Sequence, residues 1–157
     1  MILRLIHPGN TGKGPLAQAS DDYRARLSRY LRTEECFVKS HKLKKEQPQD
    51  VARALEEEAA RIRSHLGHGT QLIVLDKGGE QVSSEALAKR LQSWLSSGHR
   101  ATVFALGSAH GLSPELIRSA SWAWSFGKLT LPHDLARVVF WEQLYRAQSI
   151  LRGAPYH

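Results

Sequence analysis

The sequence predicts a mostly parallel α/β sheet, and three observations predict it. Five short runs of strand-type residues alternate with five helical stretches. Most of the helical stretches carry one apolar face at i, i+3, i+4 spacing, as a helix lying on a sheet requires. Glycine- or proline-bearing loops follow the third, fourth and fifth runs, in register with one another.

The first run, Ile2 to Ile6, is apolar and ends at Pro8 and Gly9, too short for a signal peptide or a membrane span. Leu16, Tyr23, Leu27 and Tyr30 then share one helical face. The second strand is expected at Cys36 to Lys39. It leads into a polar stretch ending at Pro48 that holds Lys39, His41, Lys42, Lys44 and Lys45 and is patterned for neither helix nor strand. A basic loop is the natural reading; phosphate contact and simple solvation both suit it. Val51, Leu55, Ala59, Ile62 and Leu66 mark the second helix, Gln71 to Leu75 the third strand, and Leu87, Leu91 and Leu95 the third helix. After a fourth strand at Thr102 to Leu106, Ser113-Pro114-Glu115 starts a helix with a capping hydroxyl, a proline at its first position and an acid in its first turn. Lys128 to Leu131 is expected as the fifth strand, and Asp134 to Arg152 as the last helix.

Ligands of such sheets collect at the carboxyl ends of the strands. That places Asp76-Lys77-Gly78-Gly79, Gly107-Ser108-Ala109-His110-Gly111 and Pro132-His133 around one expected site. Glycine lets backbone approach a ligand closely or take positive φ, although tight turns use it too. The last helix starts from the third of these loops and is chemically unusual. Leu135, Val138 and Val139 open an apolar stripe whose next members are Glu142 and Tyr145, so a carboxylate is expected on a core-facing position. Arg146, one turn on, is its expected partner; the alternative is an ordinary surface pair. A stiff aromatic tail, Pro155-Tyr156-His157, follows. Trp122, Trp124 and Trp141 are expected as core or interface residues rather than base-stacking platforms.

With 157 residues and 41% hydrophobic content, the chain suits a single domain over residues 1–157 without disulfide or metal support. The lone Cys36 fits a reducing compartment, so a cytoplasmic location is expected. A net charge of +7 favours a polyanionic partner. The usual dinucleotide fingerprint, the phosphate-binding P-loop, HExxH and GxSxG are all missing, which lowers redox, nucleotide-hydrolysing, metal and serine-hydrolase readings. No metal site and no membrane association are expected.

A glycine loop after the fourth strand, then LTLPH at residues 129–133, Arg137, Glu142, the LYRA of Leu144 to Ala147, Ser149-Ile150 and a closing PYH stand in an order and spacing far more specific than any glycine loop. On these residues the chain resembles the RlmH type of SPOUT methyltransferase, most densely from Leu75 to His157. The resemblance implies an α/β fold with a C-terminal trefoil knot and a homodimer with active sites at the subunit interface. It implies S-adenosyl-L-methionine as cofactor, held against Leu75, Gly107 and the run Gly127, Lys128, Leu129, Thr130, Leu131 and Pro132, with Leu75, Leu129 and Leu131 as an apolar floor. The implied substrate is N3 of a pseudouridine in 23S rRNA within the assembled ribosome, with Lys42, Lys44 and Lys45 as RNA contacts. This chain departs from the family's usual pattern at Ser108, where a second glycine is common, and at His110, where an acid is common.

Methyl transfer to a ring nitrogen needs alignment and removal of a proton, and calls for a base rather than a metal. His133 and His157 are both candidates, with Glu142 and Arg146 as orienting groups and Tyr156 as a stacking surface for the base. Two other readings are a knotted methyltransferase acting on a different RNA nucleotide and a ribosome-binding module without activity.

Overall fold

A computed structural model describes residues 1–9, 12–39 and 47–156. The elements run β1 (Ile2–Pro8), α1 (Pro15–Ser28), β2 (Arg32–Val38), α2 (Pro48–Ser64), β3 (Thr70–Glu80), α3 (Ser84–Ser96), β4 (Ala101–Leu106), α4 (Pro114–Ser119), β5 (Trp122–Trp124) and α5 (His133–Leu151). The five strands form one parallel sheet in the order β2-β1-β4-β3-β5.

Period-two alternation divides the strand side chains between two cores. Leu3, Leu5, Ile73 and Phe104 face one way and pack with Leu91, Trp94, Phe140, Trp141 and Leu144 of α3 and α5. Ile6, Val74, Val103 and Ala105 face the other way, onto Ile62 of α2 and Leu116 of α4. Helices start where local chemistry directs: the Ser83 and Ser113 hydroxyls accept the Ala86 and Leu116 amides at 3.2 Å, and proline opens α1, α2 and α4.

The structure departs from the sequence expectations at several elements. The fifth strand is Trp122–Trp124, paired with Ile73, Val74 and Leu75, and not Lys128 to Leu131. Two tryptophans on a pleated surface bury far more area than Lys128 to Leu131, where Leu129 is 83% exposed. β3 extends to Glu80, so Asp76 to Gly79, expected as a loop, lie in the strand across a register shift. Gly79 is required there, because a Cβ would stand 2.6 Å from the Ala123 carbonyl. β2 is an edge strand that begins at Arg32 rather than Cys36; its charged residues hide it from a hydrophobicity reading. Tyr30 lies beyond the end of α1, and it and Leu16 are exposed, so the face that α1 buries is Ala17, Ser20 and Leu27.

The largest difference is in α5. Its buried side carries Ala136, Arg137, Phe140, Trp141, Leu144, Ala147 and Gln148, whereas Leu135, Val138, Val139, Glu142 and Tyr145 are half-buried. Phe140, Trp141 and Leu144 outweigh Leu135, Val138 and Val139 in apolar area, so the helix turns that side to the core. Glu142 is therefore off the core stripe, and the charge α5 buries completely is Arg137.

Candidate active site

The carboxyl ends of β3 and β4, the segment after β5 and the first turn of α5 enclose a cavity of about 310 Å³. Of the positions that the resemblance assigns to the cofactor, Leu75, Gly107, Gly127, Leu129, Thr130 and Leu131 line it; Lys128 and Pro132 do not. Pro132 instead precedes α5, its carbonyl accepting the Ala136 amide at 2.9 Å. Leu129, expected in an apolar floor, is solvent-exposed and stands at the mouth, while the walls are Leu75, Leu106, Leu112, Trp124 and Phe126. Asp76, Lys77 and Thr130 add the polar groups. Apolar walls with a few polar groups suit a flat heteroaromatic ring bearing a polar sugar.

The turn after β4 is tightly built. A Cβ on Gly107 would lie 2.4 Å from the Gly111 carbonyl oxygen, so only glycine fits. Gly111, at φ +85, sends its amide back to the Ser108 carbonyl at 2.8 Å. Ser108 has no positive φ, so its Cβ is accommodated without strain, and its amide donates to Glu58 Oε1 at 3.1 Å. Ser108, Ala109, His110 and His133 also wall a second cavity of about 240 Å³, completed by Pro8, Gly9, Ala54, Leu55 and Glu58.

His133, at the start of α5, faces both cavities. Burial, helped by the neighbouring His7, pushes its pKa below the usual histidine value against the pull of Asp134. It is thus held in the neutral form that can accept a proton.

Glu142, Arg146 and Tyr156 form a separate cluster. Arg146 donates to Glu142 Oε1 through Nε at 3.1 Å and Nη2 at 2.5 Å, and Gln143 donates to Oε2 at 2.6 Å. The tail folds back here: the Tyr156 hydroxyl donates to Glu142 Oε1 at 3.1 Å and lies 3.4 Å from the Tyr23 hydroxyl, with the Arg146 guanidinium 4.9 Å from its ring. Burial raises the Tyr156 phenol above its ordinary value, and Tyr23 and the Glu142 charge raise it further, so it stays protonated. Nine and thirteen residues of helix separate Glu142 and Arg146 from His133, about 14 and 20 Å along the axis. One chain therefore does not bring His133 together with Tyr156 or Arg146. His157, Lys42, Lys44 and Lys45 lie outside the described residues.

Two buried groups were missed by sequence reasoning. One turn after His133, Arg137 donates to Glu35 through Nε at 2.9 Å and Nη2 at 3.1 Å, with His7 Nε2 3.1 Å from the same carboxylate and all three side chains 2% exposed or less. Burial pushes the Glu35 carboxyl up, but His7 and Arg137 together outweigh it and hold it at about 2. The other is Glu58, whose carboxyl is raised by burial against the opposing pull of the Ser108 hydrogen bonds, Arg61 and His110. The available signal was acids at positions that a strand or helix turns inward, with no partner nearby in sequence.

Among the described residues no helix is long and apolar enough to cross a membrane, and no group of three His, Cys, Asp or Glu side chains could hold a metal.

Sheet, glycine turn and cavity define a small α/β protein with a pocket at its strand tips, and comparison with known proteins gives the class. Residues 1–157 match the family model described as "Predicted SPOUT methyltransferase", and the chain belongs to this family. It is 38% identical to "Ribosomal RNA large subunit methyltransferase H" of Rhodopseudomonas palustris (strain BisB5) over 160 residues, covering 100% of this chain and 99% of that protein. It is 40% identical to the protein of the same name from Stenotrophomonas maltophilia (strain K279a), with the same coverage. Among solved structures, that of the SpoU methyltransferase AviRb from Streptomyces viridochromogenes in complex with AdoMet is 13% identical, with a TM-score of 0.46 over 92% of this chain and 57% of that one.

Proposed function

We propose that the protein is a cytoplasmic S-adenosylmethionine-dependent methyltransferase that modifies N3 of a pseudouridine in 23S rRNA of the assembled ribosome, working as a knotted homodimer. The carrying observation is that six of the eight positions the resemblance assigns to the cofactor line one cavity. Full-length relatives named as ribosomal RNA large subunit methyltransferases support the RNA substrate, and the net charge of +7 is consistent with it.

S-adenosylmethionine in this cavity supplies an electrophilic methyl group on sulfonium. The apolar walls hold the adenine, the Gly107 turn leaves room for close backbone contact, and Asp76 and Thr130 offer polar partners. Neutral His133 stands at the cavity edge, where it can take the proton that the attacking nitrogen must lose. The Glu142 cluster lies too far along α5 to serve the same chain's cavity. A second copy packed on the half-buried face of Leu135, Val138 and Val139 would bring its own Arg146 and Tyr156 to this one. On this reading Arg146 supplies fixed positive charge to the RNA, and Glu142 fixes its orientation.

The test is incubation of intact ribosomes, or of free rRNA, with isotopically labelled cofactor, followed by mass spectrometry of the RNA. Label on a 23S pseudouridine is the expected result. Label on another nucleotide, or none, would refute this assignment.

A further inference from the structure

Glu58 sits on the buried side of α2 with Ala54, Ala59 and Ile62 and is 3% exposed. An acid there loses its hydration, which is why burial raises its pKa, whereas a leucine of similar volume would gain from the same surroundings. A side chain with only a packing role has no reason to be an acid. What the carboxyl does make is a hydrogen bond from the Ser108 amide at 3.1 Å. That amide opens the turn whose Gly107 admits no side chain and whose Gly111 closes back on the Ser108 carbonyl. Ser108 is half-buried and bridged to Gly111, and its amide finds its side-chain acceptor in Glu58. A carboxylate supplies a strong, directional one.

The position of Glu58 separates this role from ligand contact. Glu58 lines the smaller cavity and not the larger one, while Ser108, Ala109 and His110 form the wall between them. Whatever fixes Ser108 thus fixes the side of the cofactor cavity from behind. Resting on the cofactor reading above, we propose that Glu58 is a positioning residue: from α2 it latches the 107–111 turn in the shape that receives S-adenosylmethionine, acting through the Ser108 amide and without touching the cofactor.

Glu58→Ala, Glu58→Leu and Glu58→Gln test this by calorimetric titration with S-adenosylmethionine, thermal melting of each apo protein, and steady-state kinetics. Glutamine keeps an oxygen that can accept the Ser108 amide, so Glu58→Gln should bind within about threefold of wild type, while Glu58→Ala and Glu58→Leu should lose roughly tenfold or more. KM for the cofactor should rise in these two, with kcat largely kept. Glu58→Leu removes a buried charge at similar volume and provides a folded protein should Glu58→Ala melt too low. A folded Ala or Leu variant with wild-type affinity, a Gln variant as weak as Ala, or a change confined to KM for RNA would each overturn the latch. A wild-type protein that binds no cofactor would overturn the latch together with the cofactor reading, and the titration of unmutated protein shows that result before any variant is compared.

Discussion

The two ends of α5 place charge in opposite ways. At the amino-terminal end Arg137 and Glu35 are sealed in the core, 1% and 2% exposed, with two guanidinium hydrogen bonds and His7 alongside. At the carboxyl-terminal end Glu142 and Arg146 are 16% and 29% exposed, share the carboxylate with a tail tyrosine, and border solvent. A buried pair is costly to break and holds geometry; a partly exposed one contributes less to stability and stays within reach of a partner. The first end ties down the turn bearing His133, the second is the one proposed above to act on the RNA, and variants at each should separate stability from turnover.

The largest effect belongs to the sealed end. Arg137→Met leaves the Glu35 carboxylate buried with one partner fewer, and urea unfolding should show a loss of about 3–5 kcal/mol. Arg146→Met should lose no more than about 1 kcal/mol in the same measurement, yet reduce methyl transfer at least tenfold. Equal stability losses at both sites would abolish the contrast.

Acid titration sharpens it further. Folding depresses the Glu35 pKa from 4.5 to about 2, so its ionised form favours the folded state. This contribution is fully present above pH 4.5 and is lost as pH falls from there through about 2. Glu35→Gln should therefore flatten the stability-versus-pH curve in that window. The smallest effect is expected from Tyr156→Phe, which removes one hydrogen bond to Glu142 and should slow turnover about five-fold with melting almost unaltered.

Much of the fold was legible in the sequence because alternation and helical spacing are local signals. β1, β4, α2, α3 and the start of α4 needed no tertiary knowledge. β5 was misplaced because three residues, Trp-Ala-Trp, are too short for a periodic signal and become a strand only by pairing with Ile73 to Leu75. The turn of α5 toward the core was hidden for a related reason: two apolar faces compete on that helix, and the choice is settled by Phe104 and Trp124, which no helical spacing reveals. The loop after β4 and the segment before α5, which line the larger cavity, were legible from glycine and proline chemistry joined to the LTLPH, LYRA and PYH resemblance. Glu35 and Glu58 were not, since their partners lie 102 and 50 residues away.

The division of labour along α5 is tested most directly by mixing two inactive variants, His133→Ala and Arg146→Ala, and assaying transfer of labelled methyl to 23S rRNA in intact ribosomes. If each site joins the amino-terminal end of one α5 to the carboxyl-terminal end of the partner's, re-equilibrated dimers should regain about a quarter of wild-type sites. A mixture as inactive as either variant alone, with mixed dimers shown to form, would contradict this arrangement.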